Sequence, residues 1–393
     1  MKRTTTHPNA RLAAPPRTRR MRWGLGLLWV LVALLVGLPA TSGELALELP
    51  PGVLPPEIPE DNPLTTEKVE LGKKLFFDAR LSADGSISCA TCHNPATGFV
   101  DQRGSRTSAG VGGKLGTRNS PTVLNAAMLL EQFWDGRAPT LEAQAVLPFI
   151  NPIEMAIPDH PALEAKIAGF AEYPPLFAKA FGDERVTVDR VGKALASFER
   201  TLITLRAPID RYLAGDEDAI SASARRGWVL FNGKARCNTC HGWIESVPTF
   251  TDDLYHNIGV GVQNVPDFAA LAQRAAKASR SMEEIEKLAL QDIEASELGR
   301  FLVTREVRDI GAFKTSPLRN IAKTAPYFHD GSASTLLEVV EHYDRGGVAN
   351  PYLDGGMRPL GLTDDEKRDL VALMESFTSD DIARFEALAE LMR

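Results

Sequence analysis

Apolar residues along this chain recur with the period of a helix rather than of a strand. After a capping threonine, the stretch Thr66-Glu67-Lys68-Val69-Glu70-Leu71-Gly72-Lys73-Lys74-Leu75-Phe76-Phe77 sets apolar side chains at helical spacing, and Gly, Asp and Ser break it just before Cys89. Residues 221–231 repeat the plan, with Ala224, Trp228, Val229, Leu230 and Phe231 followed by Gly233 and then Cys237. Further helical periodicity lies at 187–205, 271–298, 335–343 and 364–377, whereas runs of alternating β-branched residues are nearly absent. The pattern predicts a mainly α fold in which one unit, a helix ending in Phe a few residues before a cysteine pair, occurs twice.

The ends of the chain read differently. Six arginines and no acid stand in the first 22 residues; the apolar run 23–38 and then Pro39-Ala40-Thr41-Ser42 follow. The run is shorter than the ~20 residues that span a bilayer, so 1–42 reads as a cleaved signal peptide, with a retained anchor as the alternative. Export of such a chain implies the periplasm. Six prolines between 50 and 63 make 43–63 an extended lead-in. The remainder divides into a first domain at 64–210 and a second at 211–393. The second carries an Ala, Glu and Lys-rich helical insertion at 269–296, whose purpose is not legible, and a last helix at 364–377.

Composition narrows the class. The 393 residues are 44% hydrophobic and 24% charged, as in ordinary soluble proteins, and a formal net charge of −7 offers no basic surface to nucleic acid. A basic electron-donor protein remains open as a partner.

The chemistry sits in the four cysteines. Cys89-Ala90-Thr91-Cys92-His93 and Cys237-Asn238-Thr239-Cys240-His241 use all of them and lie 148 residues apart (237 − 89). Two thiols at this spacing add to the two vinyl groups of one haem, and the following histidine presents its imidazole to the iron. Local disulfides or a four-thiolate zinc would need no histidine after both pairs. Two covalently held haems are therefore expected, one per domain, with His93 and His241 as axial ligands. Beyond these and His7, only His160, His256, His329 and His342 remain, each more ordinary as a surface or hydrogen-bonding residue than as a ligand.

Between the haem motifs stand Gly116-Thr117-Arg118-Asn119-Ser120-Pro121-Thr122-Val123-Leu124-Asn125-Ala126, Gln132-Phe133-Trp134-Asp135-Gly136-Arg137-Ala138, Leu141-Glu142-Ala143-Gln144 and Glu154-Met155. Near the C-terminus come Leu318-Arg319-Asn320, Thr324-Ala325-Pro326-Tyr327-Phe328-His329-Asp330-Gly331 and Thr335-Leu336. This set, in this order over roughly residues 60–380, resembles the bacterial di-haem cytochrome c peroxidase and methylamine-utilisation (MauG) family. The resemblance implies two packed cytochrome c-like domains, with peroxide reacting at the N-terminal haem. It makes Glu154 the distal carboxylate, Gln144 its neighbouring amide and Trp134 the aromatic residue between the haems. It also implies a calcium ion on the Asn119 side chain and the backbone carbonyls of Thr324 and Pro326; no acidic cluster asks for that ion independently.

Two departures bear on subtype. Peroxidases of the family that need reductive activation carry a histidine in the loop that here reads Ser108-Ala109-Gly110-Val111-Gly112-Gly113-Lys114-Leu115-Gly116, and no histidine is present. The N-terminal haem is thus expected to be five-coordinate or water-bound and to meet peroxide directly. The peroxidases also place a methionine fourteen residues after the His329 position, as sixth ligand of the C-terminal haem; here that residue is Tyr343, with His342 and Met357 as alternatives. A phenolate would favour oxidised iron where a methionine raises the potential. The leading expectation is an enzyme that reduces hydrogen peroxide with electrons from a small periplasmic cytochrome c or cupredoxin. The alternative is a MauG-like oxidase in which peroxide creates a high-valent di-haem state that oxidises a protein or small molecule. A pure electron carrier fits less well with Glu154 and the open loop. A homodimer is left open, and contact with a membrane is expected only through the leader.

Overall fold

A computed structural model describes residues 43–279 and 293–392. The leader at 1–42 and part of the insertion, 280–292, lie outside the described residues. Two helix crossings organise the rest. Thr66–Phe77 packs on Val188–Glu199, and Ala222–Asn232 packs on Asp364–Glu375. Each of these helices begins where a hydroxyl accepts a backbone N–H: Thr65 from Lys68, Thr187 from Arg190, Ser221 from Ala224 and Thr363 from Glu366. Such caps contribute about 1 kcal/mol each.

At both crossings a glycine lets the backbones touch. A Cβ on Gly72 would stand 1.9 Å from the Ala194 carbonyl oxygen, and one on Gly227 would stand 2.1 Å from that of Asp369. Around the first crossing Leu71, Leu75, Phe76, Phe99, Phe149 and Phe198 form one core, to which Ile382 and Phe385 return from the C-terminus. Around the second, Phe231, Phe250, Leu336, Leu373 and Phe377 form another. Burying each such side chain contributes on the order of 1.5–3 kcal/mol. The molecule is mainly α; among the described residues the one sheet is a pair of two-residue antiparallel strands, Tyr255–His256 and Phe313–Lys314, with Tyr255 opposite Lys314.

The duplication extends to a turn. Phe133-Trp134-Asp135-Gly136-Arg137-Ala138 and Phe328-His329-Asp330-Gly331-Ser332-Ala333 lie 195 residues apart (328 − 133). Both phenylalanines have φ 68°, the glycines have φ 67° and 64°, and both turns are closed by an antiparallel bridge, Gln132 with Ala138 and Tyr327 with Ala333. Gly331 has no room for a side chain, since its Cβ would meet the Arg106 carbonyl oxygen at 2.0 Å.

Two sequence patterns end differently from their periodicity. The apolar run at 187–205 leaves the helix at Glu199, and Leu202, Ile203 and Leu205 are buried in extended chain. Asn125 takes over the backbone pairing there: its N–H donates to the Leu202 carbonyl and its Oδ1 accepts from Thr204 N–H, both at 2.8 Å. Within the insertion, Phe268–Ala278 is helical, and Phe268, Leu271, Leu298 and Phe301 build a third small core. The proline-rich lead-in is pinned to the body, with Leu45 N–H on the Leu64 carbonyl at 2.8 Å and Arg200 Nε on that of Glu57 at 3.2 Å.

Candidate haem sites

The first cysteine pair stands on the helical turn Cys89–Cys92, capped by His93, and in the second the turn Cys237–Thr239 is capped by Cys240, just before His241. His93 Nδ1 lies 3.3 Å from the Phe99 carbonyl oxygen, and His241 Nδ1 lies 3.0 Å from that of Phe250. Both phenylalanines are fully buried and adopt positive φ, 60° and 58°, which turns their carbonyls towards the rings. A carbonyl can only accept, so Nδ1 carries the proton and Nε2 keeps its lone pair for a metal. Burial holds both imidazoles below their usual pKa and hence neutral.

All four cysteines are free thiols. Burial pushes Cys92 up to about 11 and Cys237 up to about 12, and raises Cys89 as well. A redox-active pair would have a depressed thiol instead. Half-buried free thiols beside a ring nitrogen aimed at a metal suit attachment to a haem. A cavity of about 450 Å³ is lined by Cys237, Cys240, His241, Tyr343 and Met357 at one end and by Trp134 and Asn119 at the other. That size is in the range of cofactor sites.

Tyr343, near the end of the helix Leu336–Asp344, faces this cavity, and Met357 shares the wall. His342 turns away: it is buried, with Nε2 2.9 Å from the Ile258 carbonyl oxygen. Burial keeps the Tyr343 phenol above its ordinary range, so only a bound cation would make it a phenolate.

Glu154 belongs to the first half. Its Oε1 accepts from Asn151 Nδ2 at 2.7 Å, and its carbonyl accepts from Val111 N–H at 2.9 Å. Burial raises its pKa against the opposing pull of Arg137 and Asn151. The 108–116 loop thus rests on Glu154, and Gly110 has no space for a side chain, since its Cβ would meet the Ile153 carbonyl oxygen at 2.0 Å. Gln144 stands half-buried on the helix Leu141–Ala145, and no hydrogen bond brings its amide to Glu154.

Trp134 Nε1 donates to the Asn119 carbonyl at 2.8 Å, and its ring meets that of His329 edge-on at 6.4 Å. The three residues assigned to calcium converge: the Asn119 side-chain amide lies 2.6 Å from the Pro326 carbonyl oxygen and 3.3 Å from that of Phe328, and buried Thr324 lines the same cavity.

Sequence reasoning missed several charged groups here. Glu199 is 5% exposed, and burial pushes it up to about 8. His256 bridges Asp354 (2.7 Å) and Asp252 (3.0 Å), which with Cys240 raise it to about 11, Asp252 contributing most. In the first half Arg103, held by Asp101, takes the corresponding place at 4.0 Å from Cys92 Sγ. Neither cation carried a motif that sequence could have flagged.

Two haem-attachment sites on a duplicated helical scaffold, one beside a half-buried carboxyl and the other facing a tyrosine, define a di-haem c-type cytochrome. A family model described as di-haem cytochrome c peroxidase matches residues 66–218. The chain is 40% identical over 326 residues to the methylamine utilization protein MauG of Methylorubrum extorquens, covering 83% of this chain and 82% of that one. It is 36% identical over 341 residues to the cytochrome c551 peroxidase of Nitrosomonas europaea, covering 87% of each. A solved MauG-like protein associated with microbial copper homeostasis superposes with a TM-score of 0.69 at 30% identity, covering 85% of this chain and 96% of that one. The protein belongs to the di-haem cytochrome c peroxidase family. It is an oxidoreductase acting on peroxide, with two c-type haems in two cytochrome c-like domains.

Proposed function

We propose that peroxide is reduced at the His93 haem, with Glu154 as its acid–base group, and that electrons arrive from a small periplasmic cytochrome c or cupredoxin through the His241 haem and Trp134. The observation that carries this reading is Glu154 itself, a half-buried carboxyl whose pKa desolvation raises, under a loop without histidine. Haem, when bound, supplies the iron that accepts peroxide and delivers two electrons to it. Glu154 takes the proton from one peroxide oxygen and returns it to the departing one; with two electrons and two protons the products are two waters. Asn151 holds the carboxylate in place, and burial, by raising its pKa, brings proton uptake and release closer in energy than at an ordinary glutamate. Gln144 is assigned to the same pocket by resemblance.

A calcium ion would sit on Asn119, Thr324 and Pro326. The donors are oxygens only, as a hard cation prefers, and binding requires Asn119 to turn its amide oxygen rather than its nitrogen towards Pro326.

A second reading, the MauG-like oxidase of a protein or small molecule, is favoured by Tyr343 in the cavity it shares with Cys237, Cys240 and His241. Stopped-flow mixing of the diferric holoprotein with peroxide tests both. A fast change of haem absorbance without prior reduction is expected; silence until one electron is added would overturn the open first site. Tyr343→Met should raise the potential of the second haem and its steady-state turnover with reduced cytochrome c. Equal turnover in both proteins would remove Tyr343 as the ligand that separates the two readings.

A further inference from the structure

The insertion core is not part of either haem site, yet two side chains of the segment directly after the insertion end at the centre of the molecule. Arg300 Nη1 donates to the carbonyls of Asp135 (2.9 Å) and Gly136 (3.0 Å), gripping the turn that presents Trp134. Glu297 reaches the corresponding turn of the second half, where its Oε2 lies 2.7 Å from His329 Nε2. His329 is 3% exposed and Glu297 7%. Gly261 leaves room for the pair, since a Cβ there would stand 1.9 Å from Glu297 Oε2.

The His329 ring lies flat on Phe313, 3.5 Å between centroids, with its edge to Trp134. Other charged groups stand close by, and Lys314, next to Phe313, donates its ammonium to the Glu131 carbonyl at 2.6 Å. Asp330 on the same turn pairs with Arg106, and Arg118, 5.1 Å from the Phe313 ring, pairs with Asp135. Among the described residues the only ion-pair partner of Glu297 is His329. The Glu297 carboxylate, held by His329, is the acidic group that brings charge beside the aromatic residue between the two sites. In a medium of low dielectric constant such a charge acts over several ångströms, and hydrogen bonding and burial are levers that set haem potentials.

We propose that Glu297, acting through His329, is a positioning residue for electron transfer between the haems: its charge favours the oxidised state of the second haem and of Trp134, and its hydrogen bond holds the His329 ring against Trp134. The second part rests on Trp134 as the link. The insertion thereby gains a purpose, since the core it builds anchors the segment directly after it, which carries Glu297 and Arg300 to the two equivalent turns.

The test is spectroelectrochemistry of the holoprotein without peroxide, so failure here leaves the peroxidase reading standing and the reverse also holds. Glu297→Gln keeps an oxygen that accepts from His329 but removes the charge. The reduction equilibrium of the C-terminal haem should shift about tenfold towards the ferrous form, a rise of about 59 mV for one electron, with a smaller shift at the N-terminal haem. Glu297→Asp keeps the charge and should keep the potential. An unchanged potential in Glu297→Gln, or an equal shift in Glu297→Asp, would overturn the electrostatic role. His329→Gln carries the test independently should Glu297→Gln not retain both haems. It spares the carboxylate, so the potential should hold while inter-haem electron transfer slows tenfold or more; unimpaired transfer would sink the proposal.

Discussion

The two halves of this molecule share a scaffold and differ in what they aim at the iron. In both, a glycine brings two helices into contact, a buried left-handed phenylalanine clamps the histidine Nδ1, and a Phe-x-Asp-Gly turn faces the other half. The shared parts are those that hold a haem. The proposed chemistry lies in the residues that break the symmetry: Glu154 in the first half, Tyr343 in the second, and Trp134 opposed to His329 at the centre. A duplicated cytochrome can thus become an enzyme by changing a few side chains while its framework stays fixed.

The sharpest way to break the comparison is to remove the carboxyl that only the first half uses. Glu154→Gln should leave both haem spectra nearly intact and slow the peroxide reaction by about 10²-fold or more, the scale of a lost acid–base group. Because burial raises the pKa of Glu154, the wild-type rate should fall with falling pH along a limb that lies above the ordinary glutamate range, and that limb should vanish in the variant. Unchanged stopped-flow kinetics would remove Glu154 from the reaction and leave the halves functionally alike.

A milder effect tests whether the frameworks are equivalent. Gly72→Ala and Gly227→Ala each drive a methyl into a backbone carbonyl, at 1.9 and 2.1 Å. Overpacking of this kind costs about 1–3 kcal/mol. The two variants should lower Tm to a similar degree; a large disparity would mean that one crossing can open without harm.

How much of this was legible beforehand follows from the range over which each feature is encoded. Haem attachment needs two thiols and an imidazole at fixed local spacing, so Cys89, Cys92, His93, Cys237, Cys240 and His241 stood out as written. The helix around Leu71 and Phe76 was equally plain, because cap and period are local. Glu154 and Tyr343 could be reached only through resemblance, since burial of a carboxyl or a phenol is decided by chain remote in sequence. Glu297 lay at the edge of a stretch rich in Ala, Glu and Lys that reads as a solvated helix, and nothing local says that it points at His329. The end of the helix at Glu199 was overrun because Leu202, Ile203 and Leu205 continue the apolar pattern while Asn125, some 80 residues earlier, takes their backbone pairing.

Glu199 supplies the finest test of the symmetry. The crossings align Ala194 with Asp369 and Phe198 with Leu373, a constant offset of 175 (369 − 194 and 373 − 198), so Glu199 corresponds to Met374, which lines the cavity beside Cys237 and His241. The first half therefore buries a carboxyl where the second buries a thioether. Burial pushes Glu199 from 4.5 up to about 8, so the native state binds its proton more tightly than the unfolded chain does. Its contribution to stability is then fully present below about pH 4.5 and is lost as pH rises through about 8. Glu199→Met, which copies the second half, should flatten that decline, and Tm measured from pH 5 to pH 9 should converge with wild type at the acid end and exceed it at the alkaline end. Parallel curves would show that Glu199 ionises freely and that the two helices present equivalent surfaces to their haems.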